Sequence, residues 1–314
     1  MKKFLTALIA GSLLIMPIAN AEVRTYEGTD EYIMSEFETI DIAKQRAKQK
    51  AERVAQEQAG VFVEGTTEVV NMMVTKDEVR TMTSGILKVI DVQYKLTPLE
   101  DGKSLIVQAT VKADIDSDDV GKWLNRDTSD RANLVEHNIE LEKALAAQEA
   151  QIAELKRQLA EKPQDSEKIS AQIQAEDKVF LANQKLAEVG KLYYNGDYSG
   201  AINLCSKAIE LNSSSATAYL IRGAIYYRLN NFNGAVADFN KAIELNPGDF
   251  KSFYNRGLAH VKLGDYRLAA EDFSGAITRN PNDADSYYNR GLCRQRLGDF
   301  YGAQSDLNKA RSLQ

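Results

Sequence analysis

The C-terminal part of the chain repeats itself at a fixed interval, and this period constrains the fold more than any other feature. A turn phrase that ends in an aromatic residue recurs at 196–198, 230–232, 264–266 and 298–300. Two alanine ladders follow in the same step: Ala201, Ala235, Ala269 and Ala303, then Ala208, Ala242, Ala276 and Ala310. A fixed period of this length predicts a solenoid, in which each unit is one supersecondary element stacked on its neighbours.

Each unit is predicted to contain two short helices. The turn phrase breaks the helical pattern, and its residues tolerate unusual backbone angles. The alanines allow two helices to approach closely, and a large apolar residue between the ladders, such as Phe239 or Phe273, fills the space beside them. Pro247 and Pro281 end the second helix of two units. Because one pair of helices cannot cover its own apolar face, four units are predicted to stack into an all-α solenoid over 178–314.

These residues resemble the tetratricopeptide repeat (TPR), which has an aromatic, Gly, Ala, Phe, Ala and Pro at fixed offsets. The third unit carries the whole pattern as Phe253, Gly257, Ala269, Phe273, Ala276 and Pro281. The first unit departs from it, since Val189 stands where the glycine is expected and Lys185 replaces the aromatic. The resemblance implies a non-catalytic domain that binds a protein or peptide segment in a groove lined by the first helix of each unit.

The resemblance also implies which residues face that groove. They are Leu220, Ile221, Tyr227, Lys251, Tyr254, Asn255, Leu258, Lys262, Asp285, Tyr288, Asn289, Leu292 and Gln295. Asn255 and Asn289 stand where many such repeats carry an asparagine that holds an extended peptide backbone, because an amide both donates and accepts. The alternative is that these amides bond locally or to water. Some members of the family clamp the terminal carboxylate of a peptide with basic groove residues. Leu186 and Asp285 occupy two of those places here, and the resemblance therefore does not imply a carboxylate clamp.

The phrase YNRG occurs twice, starting at Tyr254 and Tyr288, and could be read as a copied catalytic motif. Its glycine is a packing position of the repeat, which makes the phrase architecture and not an active site. Arginines recur beside the repeat glycines: Arg222, Arg256 and Arg290. Two roles are open for these arginines: exposed charges spaced along the helix edge, or contacts to a ligand.

Only two cysteines are present, Cys205 and Cys293. In the repeat register they lie three units apart, at about 8–10 Å per packed helix. A disulfide needs Cα atoms within about 7 Å. Both are therefore predicted to be unpaired, buried thiols.

Residues 130–162 are predicted to be a coiled coil, because the chain follows a seven-residue pattern from Leu134 to Leu159. The seam positions are Leu134, Asn138, Leu141, Leu145, Gln148, Ile152, Leu155 and Leu159. The pattern predicts a homo-oligomer, either dimer or trimer, whose register the two polar seam residues fix. The alternative is one amphipathic helix docked on its own domain. After Pro163, residues 163–177 are polar and are predicted to be a linker, as a short hinge or a frayed helix.

Residues 22–125 are predicted to form a small α+β domain. Alanines from Ala43 to Ala55 mark a helix that Gly60 would end, and 61–63 would begin a strand. A short helix follows around 76–83. Two alternating segments then predict a hairpin with one buried face. Its inward residues would be Ile90, Val92, Tyr94 and Leu96 on one strand, and Leu105, Val107, Ala109, Val111 and Ala113 on the other.

The order helix, strand, short helix and hairpin resembles the small α/β sandwich-like domain of the LPP20 lipoprotein family and of the amino end of flagellar assembly protein T. The phrases AKQRAKQKAERVAQEQAGVFVEG, ILKVIDVQYKLTP and SLIVQATVKADI carry the likeness. The resemblance implies an envelope-associated domain near flagellar or cell-surface machinery, and it does not imply an enzymatic activity.

Residues 1–21 have the form of a secretory signal peptide. Lys2 and Lys3 precede an apolar run, 4–16, and residues 19–21 read Ala-Asn-Ala, which signal peptidase accepts. The run is shorter than the ~20 apolar residues that span a bilayer. The sequence therefore predicts cleavage before Glu22 and a periplasmic protein that does not span the membrane, with outward secretion as the alternative.

Nothing in the sequence predicts catalysis, a metal or a cofactor. The net charge of −6 argues against nucleic acid as a partner. Asp114, Asp116 and Asp118 imitate the start of a calcium loop, but Asp119 and Asn125 stand where the loop needs Gly and Glu. Neither of the two histidines, His137 and His260, has metal-ligand spacing.

Two functional hypotheses follow. In the first, the protein is a non-catalytic periplasmic scaffold that holds a protein or peptide segment in its solenoid and gains avidity by oligomerising. In the second, it is a structural component of a flagellar or cell-surface assembly that acts through the N-terminal domain.

Overall fold

The computed structural model describes residues 22–34, 38–69, 74–100, 104–125 and 128–313, so the predicted signal peptide lies outside the described residues. The chain divides into two compact units. The first holds the described residues up to 32, together with 44–97 and 106–131. The second holds 132 onwards, with the short segments 33–43 and 98–105.

The first unit is built on a three-stranded antiparallel sheet with the order β1-β3-β2. The strands are β1 (Val23–Met34), β2 (Lys88–Pro98) and β3 (Leu105–Asp116). The helices are α1 (Ile40–Val69), α2 (Lys76–Ile86) and α3 (Ser117–Leu124). The predicted short helix and hairpin are confirmed.

The core of this unit joins the central strand to an alanine stripe. Every second residue of β3 from Val107 to Ile115 is fully buried, as the alternating pattern predicts. Alanines at four-residue intervals on α1, from Ala43 to Ala59, are also fully buried. A Cβ atom at Gly28 of β1 would lie 2.0 Å from the Ala51 carbonyl oxygen, so strand and helix backbones touch there.

Two predictions about the region of α1 are wrong. The helix runs through Gly60 and through the predicted strand at 61–63. Val63 is fully buried and lies four residues after Ala59, so it continues the buried stripe. Continued burial on one face outweighs the ~1 kcal/mol that a helical glycine costs. The third strand of the sheet is instead β1, which precedes α1. Its residues do not alternate regularly between apolar and polar.

The prediction that the apolar face of β2 is buried is also wrong. Ile90, Tyr94 and Leu96 are 57%, 37% and 42% exposed. The reason is the strand order, because β2 lies at the edge of the sheet and β3 takes the central, covered place.

The second unit begins with α4 (Thr128–Glu161), a 3₁₀ turn (Pro163–Asp165) and α5 (Ser166–Tyr194). Leu155 and Leu159 of the predicted seam pack against Ile169 and Ile173 of α5. Gln148 donates its side-chain N–H to the Glu176 carbonyl oxygen, 2.8 Å away. Residues 166–177 of the predicted linker are therefore helical. Three residues of the predicted seam have side chains that are not among those the structure describes: Leu134, Asn138 and Leu141.

Part of the seam is thus covered within one chain. Leu145, Gln148, Ile152 and Leu155 are all at least nine-tenths buried without a second copy. This arrangement matches the alternative of an amphipathic helix docked on its own domain.

The rest of the second unit is the predicted series of helix pairs. After α5 come α6 (Tyr198–Leu211), α7 (Ala216–Arg228), α8 (Phe232–Leu245), α9 (Phe250–Leu263), α10 (Tyr266–Arg279), α11 (Ala284–Arg296) and α12 (Phe300–Leu313). The turns between the two helices of each unit contain a residue with positive φ. These residues are Gly196 (77°), Asn230 (61°), Gly264 (85°) and Gly298 (84°).

The alanine ladders and the large apolar residues pack as predicted. All eight ladder alanines are at most 4% exposed. A Cβ atom at Gly223 would lie 2.7 Å from the Phe239 ring, and one at Gly257 would lie 2.9 Å from the Phe273 ring. Cys205 and Cys293 are both free and buried, which confirms that they do not pair.

Candidate protein-interaction face

The first helices of the last three units begin at equivalent positions because each has a polar N-cap. Ser215 accepts a hydrogen bond from the Ala218 N–H, Asp249 from the Lys251 and Ser252 N–H groups, and Asp283 from the Ser286 N–H. Residues one repeat period apart therefore occupy the same place on α7, α9 and α11. We use "first-helix face" for the predicted groove residues on these helices: Leu220, Ile221, Tyr227, Lys251, Tyr254, Asn255, Leu258, Lys262, Asp285, Tyr288, Asn289, Leu292 and Gln295.

Tyr254 and Asn289 meet across two neighbouring units of this face. The Asn289 amide donates to the Tyr254 hydroxyl, 3.2 Å away, and to the Asp285 carbonyl oxygen, 2.9 Å away. The Tyr254 ring packs 5.7 Å from the Phe273 ring, centroid to centroid. Burial raises the pKa of Tyr254 to about 12, and the nearby Asp285 carboxylate acts in the same direction. The phenol is therefore neutral at physiological pH, and its O–H can still donate to a ligand.

The apolar residues of the face are covered to different degrees along the series. Leu220 and Tyr227 are half-buried against Ala235, Phe239 and Ala259. Leu258 of the next unit is half-buried. In the last unit, Tyr288 is 48% exposed and Leu292 is 38% exposed. Apolar contact area is thus most available on α11.

The polar residues of the face divide similarly. Lys262 and Gln295 are exposed, whereas Lys251 and Asn255 are half-buried. Asn289 bonds locally, as the alternative interpretation predicted, although its amide oxygen has no hydrogen bond among the described residues. The structure therefore brings the predicted residues to the first helices, where Asn289 bonds to Tyr254 of the neighbouring unit and to Asp285 of its own helix.

Each recurring arginine binds an aspartate in the second helix of its own unit. The distances from Nη2 to Oδ1 are 2.8 Å for Arg222–Asp238, 2.5 Å for Arg256–Asp272 and 2.7 Å for Arg290–Asp306. The aspartates are 3–6% exposed. The three arginines are therefore held in ion pairs inside the solenoid, and they do not space exposed charge along the helix edge.

The same arginines also reach the preceding unit. Their Nη1 groups donate to the side-chain oxygens of Ser206, Asn240 and Ser274, each 16 residues earlier. One side chain thus ties together three helices from two units. We call this series the arginine ladder. Sequence reasoning missed it, although the constant spacing from each arginine to its aspartate was a readable signal.

A second basic position faces two of these aspartates. His260 and Arg294 hold equivalent places in neighbouring units, and Tyr226 holds the same place one unit earlier. Arg294 Nη1 lies 2.9 Å from Asp306 Oδ2, and His260 Nε2 lies 3.7 Å from Asp272 Oδ2. Burial raises the pKa of Asp272, and Arg256 opposes that rise. His260, Arg256 and Asp272 line a cleft of about 340 Å³ with Phe253, Leu268 and Glu271 among its other walls.

The described residues contain no grouping of three or more metal-ligand side chains. Burial raises the pKa of Cys205 to about 12 and that of Cys293 to about 11, so both stay protonated thiols at neutral pH. Such thiols are poor nucleophiles.

No helix in the part of the chain that the structure describes is long and apolar enough to cross a membrane.

Family models confirm the repeats. A model described as TPR repeat matches residues 191–230 and 223–264, and a model described as Tetratricopeptide repeat matches 254–311. The region 191–311 thus consists of tetratricopeptide repeats. No curated protein matches the chain.

Solved TPR structures resemble the chain at low identity. The Arabidopsis OM64 TPR domain is 26% identical, covers 38% of this chain and 98% of its own, and has a TM-score of 0.37. The first TPR of Spaghetti (RPAP3), bound to the HSP90 peptide SRMEEVD, is 24% identical, with 38% and 95% covered and a TM-score of 0.38. YrrB, described as a TPR protein with an unusual peptide-binding site, is 20% identical, with 59% and 84% covered and a TM-score of 0.40.

Proposed function

We propose that the protein is a non-catalytic, exported adaptor that binds a protein or peptide segment on the first-helix face. The observation that carries the proposal is the exposure of Tyr288 and Leu292 beside the Tyr254–Asn289 pair. Large apolar side chains next to oriented polar groups are the usual make-up of a recognition surface.

The chemistry of the face favours an extended segment with apolar side chains. Tyr288 and Leu292 lie one helical turn apart on α11 and offer adjacent apolar contacts. The Asn289 oxygen can accept a backbone N–H, and the Tyr254 O–H can donate to a backbone carbonyl. Polar groups of the segment's backbone and its apolar side chains would then bind to neighbouring parts of one surface.

The arginine ladder supports this function because it holds the first helices in place. Each of its arginines fixes a first helix to two second helices, at bond distances between 2.5 and 3.1 Å. A surface whose backbone is already ordered loses less conformational freedom on binding.

Site-specific crosslinking tests the binding proposal. A photoreactive residue at Tyr288 in the native envelope should crosslink to a discrete partner, and mass spectrometry should identify it. Tyr301 is the matched control, because it is a 91% exposed tyrosine on α12 outside the first-helix face. Equal crosslinking from both positions, or none from Tyr288, would contradict the proposal.

The export and self-association of this adaptor are further parts of the proposal. Residues 1–21 support export, and N-terminal sequencing of the periplasmic fraction should begin at Glu22. The heptad pattern of α4 supports a homo-oligomer, although α5 already covers part of that seam. Sedimentation of the exported chain tests it, and a monomer at tens of micromolar would contradict oligomerisation.

The alternative function is a structural envelope component that acts through the N-terminal unit. The resemblance of that unit to envelope domains is its support. Deleting residues 178–314 separates the two functions. Loss of the partners that the intact chain recovers from envelope extracts favours the adaptor, whereas unchanged recovery favours the structural component.

A further inference from the structure

Strand β2 presents a largely exposed apolar row at the edge of the sheet. Ile90, Tyr94 and Leu96 are 57%, 37% and 42% exposed, and Val92 between them is half-buried. No strand in the described ranges lies on the outer side of β2. A long edge strand with an apolar face is a template for pairing with another strand.

The hairpin geometry shows which backbone groups of β2 point outward. The Leu99 N–H donates to the Ser104 carbonyl oxygen over 2.9 Å, so Leu99 faces β3. In an antiparallel ladder, alternate residues direct both N–H and C=O to the same neighbour. Odd-numbered residues of β2 therefore bond to β3, and the even-numbered residues 90, 92, 94 and 96 direct their backbone groups outward. Pro98 has no N–H and ends this row.

We propose that β2 pairs antiparallel with β2 of a second copy of this chain, with Gln93 on the twofold axis. In this register Val92 lies opposite Tyr94 of the second copy, and Ile90 lies opposite Leu96. These are all even-numbered residues, so each pair exchanges two hydrogen bonds. The contact is isologous, and the two three-stranded sheets become one continuous sheet.

Charge selects this register and a second copy as the occupant. Asp91 and Lys95 lie on the opposite face of β2 from the apolar row, two residues either side of Gln93. Pairing about Gln93 places Asp91 opposite Lys95 of the second copy, twice. Shifting the pair to centre on Val92 or Tyr94 separates these charges, and opposite charges directly across a ladder stabilise it. The strand is therefore complementary to itself in both charge and apolar content.

The proposal does not depend on the adaptor function of the repeats or on the α4 seam. If an extended segment of a different protein used this edge instead, neither cysteine variant of the purified chain would crosslink to a second copy.

Single-cysteine crosslinking tests the register. In the paired strands, the Cα atoms of residue 93 face each other at about 4.5 Å as a non-hydrogen-bonded pair, within the range of a disulfide. Gln93→Cys should give a covalent dimer of residues 22–314 under mild oxidation. Asp91→Cys is the matched control, because its two copies would lie roughly 14 Å apart at the usual rise per residue. The native cysteines are buried and should leave the unmodified chain uncrosslinked.

A charge swap provides the second measurement. In the Gln93→Cys background, Lys95→Asp places aspartates opposite each other and should lower the yield of the covalent dimer at least tenfold, more so at low salt. The double variant Asp91→Lys with Lys95→Asp restores opposite charges and should recover the dimer. Equal crosslinking of Gln93→Cys and Asp91→Cys, no crosslinking of either, or a dimer insensitive to Lys95→Asp would overturn the proposal.

Discussion

The guanidinium of Arg290 binds the buried carboxylate of Asp306 and the hydroxyl of Ser274 at once. The distances are 2.7 Å from Nη2 to Oδ1 and 3.1 Å from Nη1 to Oγ. Asp306 belongs to the second helix of the same unit, and Ser274 belongs to the second helix of the unit before it. The contact therefore acts within a unit and between units, and it recurs at each step of the solenoid.

Removing one arginine of the ladder should destabilise the repeats strongly. Arg256→Met leaves the buried Asp272 carboxylate without its arginine partner, with His260 Nε2 still 3.7 Å away. Breaking a buried pair in this way costs about 3–5 kcal/mol. Urea unfolding followed by the repeat-region signal should show this decrease in the free energy of unfolding.

The exposed ion pair of Arg267 with Glu271 provides the control for that variant. Its two side chains are 77% and 59% exposed. Arg267→Met should change the free energy of unfolding by less than about 1 kcal/mol. Similar decreases in the free energy of unfolding from both variants would show that the burial of Asp272 does not explain how the ladder stabilises the repeats.

A methyl group at a repeat glycine should also destabilise the solenoid. The Cβ atom of Gly257→Ala would lie 2.9 Å from the Phe273 ring, inside normal contact distance. Overpacking of this kind costs about 1–3 kcal/mol. Gly190→Ala in α5 is the comparison, because nothing lies within 4 Å of its added methyl group. That variant should be neutral or stabilising in thermal melting, and a destabilisation equal to that of Gly257→Ala would contradict the packing explanation.

The solenoid could be predicted from the sequence because its signals are local and repeated. A glycine or asparagine at each turn and two alanines per unit specify the backbone directly, and four copies of the pattern reinforce each other. The arginine ladder was harder to predict because each of its ion pairs joins residues on different helices. A charged residue beside a glycine does not show by itself whether its partner is solvent, ligand or a buried aspartate.

The N-terminal unit was less predictable because its burial depends on strand order. Ile90 and Val107 alternate in the same way in the sequence, yet only the central strand is covered. Local propensity at Gly60 predicts a helix end, whereas the buried stripe continues to Val63. The heptad pattern of α4 is ambiguous in the same way, because the same apolar seam is expected whether α5 or a second chain covers it.

The asparagines of the first-helix face separate binding from stability. The double variant Asn255→Ala with Asn289→Ala should weaken binding of the crosslinked partner segment about tenfold, corresponding to about 1.4 kcal/mol. Stability should fall by only about 1–2 kcal/mol, because the variant chiefly removes the two hydrogen bonds that Asn289 donates to Tyr254 and to the Asp285 carbonyl oxygen. Calorimetric titration and thermal melting measure the two effects. A large fall in melting temperature with unchanged affinity would assign these residues to the architecture alone.

Alkaline pH should destabilise the repeats through Cys205. Burial raises the pKa of its thiol from 9.0 to about 12 in the folded chain. The unfolded chain therefore releases the proton at lower pH than the folded chain, and stability falls as pH rises from about 9 to about 12. Within that window this group contributes a slope of about 1.4 kcal/mol per pH unit.

Cys205→Val isolates that contribution, because it keeps an apolar residue of similar size in a fully buried place. Tyrosines and lysines titrate in both proteins, so the difference between wild type and variant reports the thiol. The free energy of unfolding should decline less steeply for Cys205→Val between pH 9 and pH 11. In the wild type, a thiol reagent at pH 8 should react with Cys205 only as fast as the repeats open. Identical pH slopes, or immediate labelling of the folded chain, would show that the thiol is not held protonated by burial.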